Sequence, residues 1–354
     1  MTQLPADTRP VAPQHAIDAE RLGGWLAAHV APLDGPLEIA QFMGGQSNPT
    51  YLLAAGSQRY VLRRKPPGKL LPSAHAVDRE YRVIRALAGT DVPVGKVHAL
   101  CEDDSVIGTA FYVMEYVAGR VFWDPGLPDL DPAARAAIHD EINRVIAALH
   151  SVDFAAVGLG DFGRTSEYIA RQVARWSKQY QASETERIPA MDNLIAWLPE
   201  NIPAGDESSI VHGDYRIDNV IFHPDEPRIL AVLDWELSTL GHPLADFAYH
   251  CMVWRLPPGL FRGLGGLDLA ALGIPTEGEY VAAYCRRTGR AGIEPRDWEY
   301  YMIYNMFRIA AIVQGVMARA LQGNASSAQA LETGRAARPL AELAWAQVER
   351  LKHS

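Results

Sequence analysis

Cysteine is scarce: Cys101, Cys251 and Cys285 are the whole complement of a 354-residue chain. They stand singly, so neither a disulfide framework nor a thiolate metal site is expected. Each reads as a small buried hydrophobe in a reduced, cytoplasmic setting. Long apolar runs are missing too. No stretch approaches the length of a membrane span, and the N-terminus from Met1 to Asp7 lacks a signal-peptide core, so no membrane partner is expected. Nor is positive charge in surplus. With 33 Lys and Arg against 42 Asp and Glu, the net charge of -9 argues against nucleic acid as a partner, because phosphate neutralisation needs clustered basic surface. What is present, 48% hydrophobic and 21% charged residues, is the make-up of an ordinary globular chain, long enough for two lobes.

Residues 1–14 are polar and Pro-rich and are expected to be a poorly ordered tail. An amphipathic helix follows, with Ile17, Leu22, Trp25, Leu26 and Val30 on one face. From Leu37 the texture changes to short strands, over 37–42, 50–54 and 59–64, and Ser73 is placed to cap a helix running to about Leu87. Two more strands end at 111–116. Strands around a single helix make a small lobe over 15–117. Beyond it, 118–354 reads as mainly helical, with helical patterns near 132–149, 168–180, 191–197, 244–253, 280–287, 298–317 and 339–351. Leu256 to Gly273 is a Gly- and Pro-rich excursion that reads as a mobile loop.

The chemistry concentrates in Ile210-Val211-His212-Gly213-Asp214-Tyr215-Arg216-Ile217-Asp218-Asn219 and the following Leu233-Asp234-Trp235-Glu236, placed in a hairpin within the second lobe. Asp214 is a candidate base for an attacking hydroxyl. Asn219 offers a neutral oxygen to a hard cation, and Asp234, ending an apolar strand, offers a charged one. A bare turn could also use Asp214 and Asn219 to satisfy local backbone donors, but the two together, with an apolar strand leading into Asp234, favour the catalytic reading. His212 fits a loop brace. Between two strands, Gly44-Gly45-Gln46-Ser47-Asn48 can bring backbone and side-chain donors close to phosphates. The strand end Arg63-Arg64-Lys65 supplies a phosphate cation, Arg63 or its rival Lys65. Glu80 in the next helix is the carboxylate to hold it, with Asp78 close by.

The pattern His-Gly-Asp-x-x-x-x-Asn followed by Leu-Asp-Trp-Glu resembles the aminoglycoside phosphotransferase and choline kinase-like family of small-molecule kinases. The resemblance implies an α+β, two-lobed protein-kinase-like fold with a β-rich nucleotide lobe and a helical catalytic lobe. It implies ATP and Mg2+ as cofactors and a small-molecule hydroxyl as acceptor. Arg63 stands where the family's strand lysine is expected. The strand 110–119 resembles a kinase hinge, with the backbones of Glu115 and Val117 facing adenine. By the same resemblance Asp246 would hydrogen-bond the catalytic loop as a scaffold. Only eleven residues separate Asp234 from Asp246, which leaves no room for a peptide-presenting activation segment.

The stretch 61–81 looks like the branch whose kinase domain is fused, in some relatives, to an acyl-CoA dehydrogenase. That suggests a hydroxyacyl-CoA or related hydroxy acid as substrate and a functional link to such a dehydrogenase, with an aminoglycoside as the alternative. Arg64, Lys65 and Lys69 are candidates for CoA phosphates. Tyr249, Trp254, Tyr304 and Arg308 are candidates for the acceptor pocket. Two rivals remain. A nucleotide-binding pseudokinase is motivated by Arg63 and by Glu236 in place of the usual Gly. A metallohydrolase would use His212, Asp214, Asp234 and His242 as ligands.

Overall fold

The computed structural model describes residues 7–43, 48–66, 76–323 and 329–353. It divides into two compact units, Met1–Arg120 with Val220–Ser238, and Val121–Asn219 with Thr239–Ser354. The fold is α+β, an antiparallel sheet in the first unit and a mainly helical second.

In the first unit, β1 (Thr8–Pro10), α1 (Ala19–His29), β2 (Glu38–Phe42), β3 (Thr50–Ala55) and β4 (Gln58–Arg64) are followed by α2 (Val77–Leu87), β5 (Val97–Cys101), α3 (Asp104–Ile107) and β6 (Phe111–Glu115). The strands form one antiparallel sheet in the order β1-β2-β3-β4-β6-β5. One face, with Tyr51, Leu53, Leu62, Phe111 and Val113, packs on Leu22 and Leu26 of α1. The expected poorly ordered tail therefore needs correction where it is described: Thr8 and Pro10 register with Phe42 and Ala40, supplying partners to the open edge of β2. Among the described residues α1 and α2 fall on the two expected helices, and the short α3 is added to them.

In the second unit come α4 (Pro132–Ser151), α5 (Tyr168–Ala182), α6 (Pro189–Glu200) and β7 (Ser209–Val211). The chain then returns to the first unit as a hairpin of β8 (Val220–Phe222) and β9 (Ile229–Val232). The second unit resumes with β10 (Thr239–Gly241), paired antiparallel with β7. After it come α7 (Pro243–Cys251), α8 (Leu269–Leu272), α9 (Glu277–Thr288), α10 (Pro295–Leu321), α11 (Ala330–Gly334) and α12 (Ala337–His353). Asp131 caps α4 by accepting from the Ala134 amide, with Pro132 at the first helical position, as the sequence signals.

The single boundary expected near residue 117 and the assignment of the Asp234 hairpin to the second lobe are both corrected. Arg120 and Phe222 exchange backbone hydrogen bonds, and Val232 N–H donates to the Pro93 carbonyl, which ties the hairpin to the first unit. Gly119 permits this approach, since an added Cβ would lie 2.2 Å from the Phe222 carbonyl oxygen. Among the described residues no helix is long and apolar enough to cross a membrane.

Candidate active site

In the first unit the site is built on β4, α2 and the turn after β9. Arg63 is turned towards α2, where Val77, Glu80, Val83, Ile84 and Leu87 make the buried stripe. Its Nε lies 2.7 Å from Glu80 Oε2, off the line of a hydrogen bond, so the contact is an ion pair. Its Nη2 donates to Asp234 Oδ1 at 2.6 Å, and Glu236 Oε2 lies 3.6 Å from the same nitrogen. Burial by itself lowers the Arg63 pKa, but Glu80 and then the other acidic neighbours outweigh it and raise the pKa, so the guanidinium stays charged. Burial lifts the Glu80 carboxyl above its ordinary value against the pull of Arg63.

Glu80 is further held by Asn48 Nδ2 (2.6 Å) and by the Tyr112 hydroxyl (3.2 Å). Asn48, expected to face phosphate, is fully buried with its amide on Glu80; the correction is that its donor braces a carboxylate. Lys65 sits 3.9 Å from Asp78 and is a third exposed, so Arg63 and Glu80 are the buried pair. Asp234 has φ +62°, a left-handed conformation that a non-glycine residue holds only where its surroundings impose it. Gly44, Gly45, Ser47, Lys69 and Ser73 lie outside the described residues. At the end of β6, the Glu115 amide already donates to the Lys96 carbonyl (2.9 Å).

In the second unit β7 delivers His212, and Gly213 at φ +84° turns the chain. Asp246, in the first turn of α7, accepts from the backbone amides of His212 (Oδ2) and Gly213 (Oδ1), both at 2.8 Å, and from His150 Nε2 at 3.2 Å. Burial would raise its carboxyl; the His150 hydrogen bond and charge and the His212 amide outweigh that and hold it below the ordinary value. His212 accepts the Asp214 amide on Nδ1 at 3.2 Å, and the Tyr215 hydroxyl donates to the Ile142 carbonyl at 3.1 Å. The loop is thus fixed from both ends.

Around the Asp214 carboxylate stand Tyr249, whose hydroxyl donates to Oδ1 at 2.5 Å, Arg216, with Nε at 3.1 Å, and Asn219, whose Nδ2 donates to Oδ2 at 3.1 Å and to the Asp214 carbonyl at 2.9 Å. With its amide nitrogen committed there, Asn219 has its oxygen left for a cation. Arg308 donates to the Gly213 carbonyl at 2.7 Å, its guanidinium 5.0 Å from the centroid of the Tyr249 ring.

Tyr249 and Arg308 therefore join the Asp214 loop, while two other acceptor-pocket candidates do not. Trp254 donates its indole N–H to the Pro275 carbonyl and packs on Tyr280, and Tyr304 is buried inside α10 packing. Sequence reasoning missed His150 and Arg216 as site members. Arg216 sits two residues from Asp214, within reach of notice; His150 lies 96 residues from Asp246 and carries no local signal. The metallohydrolase reading fails on geometry. His242 accepts the Leu244 amide on Nδ1 and pairs Nε2 with the Tyr301 hydroxyl, and among the described residues no cluster of three or more His, Cys, Asp or Glu could hold a metal.

A family model described as a phosphotransferase enzyme family matches residues 38–301. Mouse acyl-CoA dehydrogenase family member 10 is 49% identical over 346 residues, covering 96% of this chain and 32% of that protein. Human acyl-CoA dehydrogenase family member 11 is 44% identical over 342 residues, covering 95% and 44%. The chain thus spans less than half the length of these relatives. A crystal structure from Ralstonia eutropha, described as a candidate aminoglycoside phosphotransferase, is 58% identical with a TM-score of 0.88, over 95% of this chain and 99% of its own. A thermostable aminoglycoside phosphotransferase crystallised with AMP-PNP and hygromycin B is 18% identical with a TM-score of 0.60, over 93% and 99%, a likeness of fold alone.

Proposed function

The chain belongs to the aminoglycoside phosphotransferase family of phosphotransferase enzymes, and from that membership we propose that it phosphorylates a hydroxyl of a small molecule, using ATP and magnesium. The observation that carries this reading is the convergence of Glu80, Asp234 and Glu236 on Arg63. Asp234 and Glu236 present carboxylate oxygens beside that guanidinium, and carboxylates are the hard oxygen ligands that a divalent cation takes.

On this reading Asp234 and Asn219 hold magnesium. Arg63, braced by Glu80, which Asn48 holds in turn, faces the phosphates, aided by Gly44, Gly45 and Ser47. The backbones of Glu115 and Val117 face the adenine. Bound Mg·ATP supplies the phosphoryl group and neutralises charge. Asp214 orients the acceptor hydroxyl and takes its proton, while His212 and Asp246 hold the loop that presents it.

For the acceptor we propose a hydroxyacyl-CoA or related hydroxy acid, acting in the cytoplasm in functional connection with an acyl-CoA dehydrogenase. The relatives named for that enzyme support this, and so do Arg216 and Arg308 beside Asp214, which disfavour a polycationic aminoglycoside. The test is magnesium-dependent ADP formation across hydroxyacyl-CoAs, hydroxy acids, aminoglycosides, choline-like alcohols and sugars. Stimulation by a hydroxyacyl compound supports the assignment. Stimulation by an aminoglycoside alone replaces the acceptor, and nucleotide binding with no stimulation by any of them favours a pseudokinase.

A further inference from the structure

The Asp214 carboxylate is crowded. Tyr249 donates to Oδ1 at 2.5 Å, Arg216 Nε stands 3.1 Å from the same oxygen, Asn219 donates to Oδ2 at 3.1 Å, and Arg216 Nη2 lies 3.5 Å from Oδ2. A carboxylate offers about four lone-pair directions, so a substrate hydroxyl reaches Asp214 only by displacing one of these donors. Two of the three residues have a second anchor. Asn219 also holds the Asp214 carbonyl at 2.9 Å, and Arg216 also pairs with Asp218 at 3.4 Å.

Tyr249 differs. Among the described residues Asp214 is its hydroxyl's one hydrogen-bond partner, and that hydroxyl is the same chemical group as the acceptor's own. Exchanging one hydroxyl for another preserves the hydrogen bond to the carboxylate. Burial and then the adjacent Asp214 charge raise the phenol's pKa well above its ordinary value, so it remains a donor. The ring is held in place by Arg308, itself fixed on the Gly213 carbonyl.

We infer that Tyr249 is a stand-in acceptor, occupying Asp214 Oδ1 until a substrate hydroxyl replaces it and so suppressing transfer to water. The inference rests on the role proposed above for Asp214. In the suppressed reaction a water gives its proton to Asp214, its oxygen bonds phosphorus, and the bond from phosphorus to the ADP oxygen breaks. ADP and inorganic phosphate are the products.

The experiment compares the wild-type 354-residue chain with Tyr249→Phe, using Mg·ATP as the only probe and no acceptor. The expected result is an increase in ADP release of roughly fivefold, the factor corresponding to one net hydrogen bond. A merely structural defect would lower the rate. Thermal melting gives a second readout: Tyr249→Phe and Asp214→Ala together should shift the midpoint by less than the sum of the single shifts, because each removes the same contact. An unchanged or lower rate, or additive melting shifts, overturns the inference. Failure of the underlying reading looks different. ADP release that persists at the wild-type rate in Asp214→Ala sinks the role of Asp214, and the Tyr249 device with it.

Discussion

Arg63 is the residue on which Glu80, Asp234 and Glu236 meet. Its side chain is 9% exposed and its partner Glu80 is 1% exposed. Removing one member of such a pair leaves an uncompensated buried charge, so Arg63→Ala is expected to destabilise the protein by about 3–5 kcal/mol, measured by urea denaturation. Arg63→Lys keeps the charge but not the fork that reaches Glu80 and Asp234 together. Roughly tenfold weaker binding of an ATP analogue is expected by calorimetry, with most of the stability retained. The sequence could not separate Arg63 from Lys65 by strand alternation, because residues two apart share a face. It could have separated Glu80 from Asp78. The spacing of Val77, Glu80, Val83, Ile84 and Leu87 puts Glu80 on the apolar stripe of α2 and leaves Asp78 off it. In the second unit, Asp246→Asn turns one acceptor oxygen into a donor facing a backbone amide. A loss of about 1–3 kcal/mol is expected in the same denaturation, together with a large drop in any Asp214-dependent ATP turnover.

At the scale of elements, the long helices were legible because their apolar periodicity and end signals agree. Asp131-Pro132 opens α4, and α5, α6, α9, α10 and α12 fall where the patterns put them, within a few residues at each end. What sequence could not show was partnership. β8 and β9 read as part of the following helical region by chain position, and only the hydrogen bonds to Arg120 and Pro93 reveal where they pair. Strand β1 has three residues and no alternation to announce it; its pairing with β2 makes it a strand. Gly119 tests the hairpin's attachment. Gly119→Ala places a methyl against the Phe222 carbonyl, and destabilisation of about 1–3 kcal/mol is expected, read by thermal melting of the first-unit transition.

For the molecule as a whole, fold class and chemistry were readable because the motifs are local and keep their order along the chain. The surroundings of Asp214 were not, because they come from separated elements: Arg216 from the loop after β7, Tyr249 from α7 and, on the Gly213 carbonyl, Arg308 from α10. Global stability also carries a pH signature that no motif announces. Burial lowers the pKa of His139 and His242 to about 4 and of His250 to about 3. The unfolded chain binds these protons near pH 6.5 while the folded chain refuses them, so stability is fully present above pH 6.5 and is lost as pH falls towards 4. Urea midpoints should drop between pH 7 and pH 5, by roughly 2 kcal/mol for each histidine at pH 5.

Asp214 and Asp234 are proposed above as the catalytic and metal-binding carboxylates of this phosphotransferase. Acceptor-stimulated, magnesium-dependent ADP formation by the wild type, Asp214→Ala and Asp234→Ala, all checked for folding by thermal melting, tests this proposal most directly. The account predicts that a hydroxylic acceptor stimulates the wild type and that each substitution reduces the rate by about a hundredfold or more. Stimulation that survives either substitution, or its absence with every hydroxylic acceptor, would contradict it.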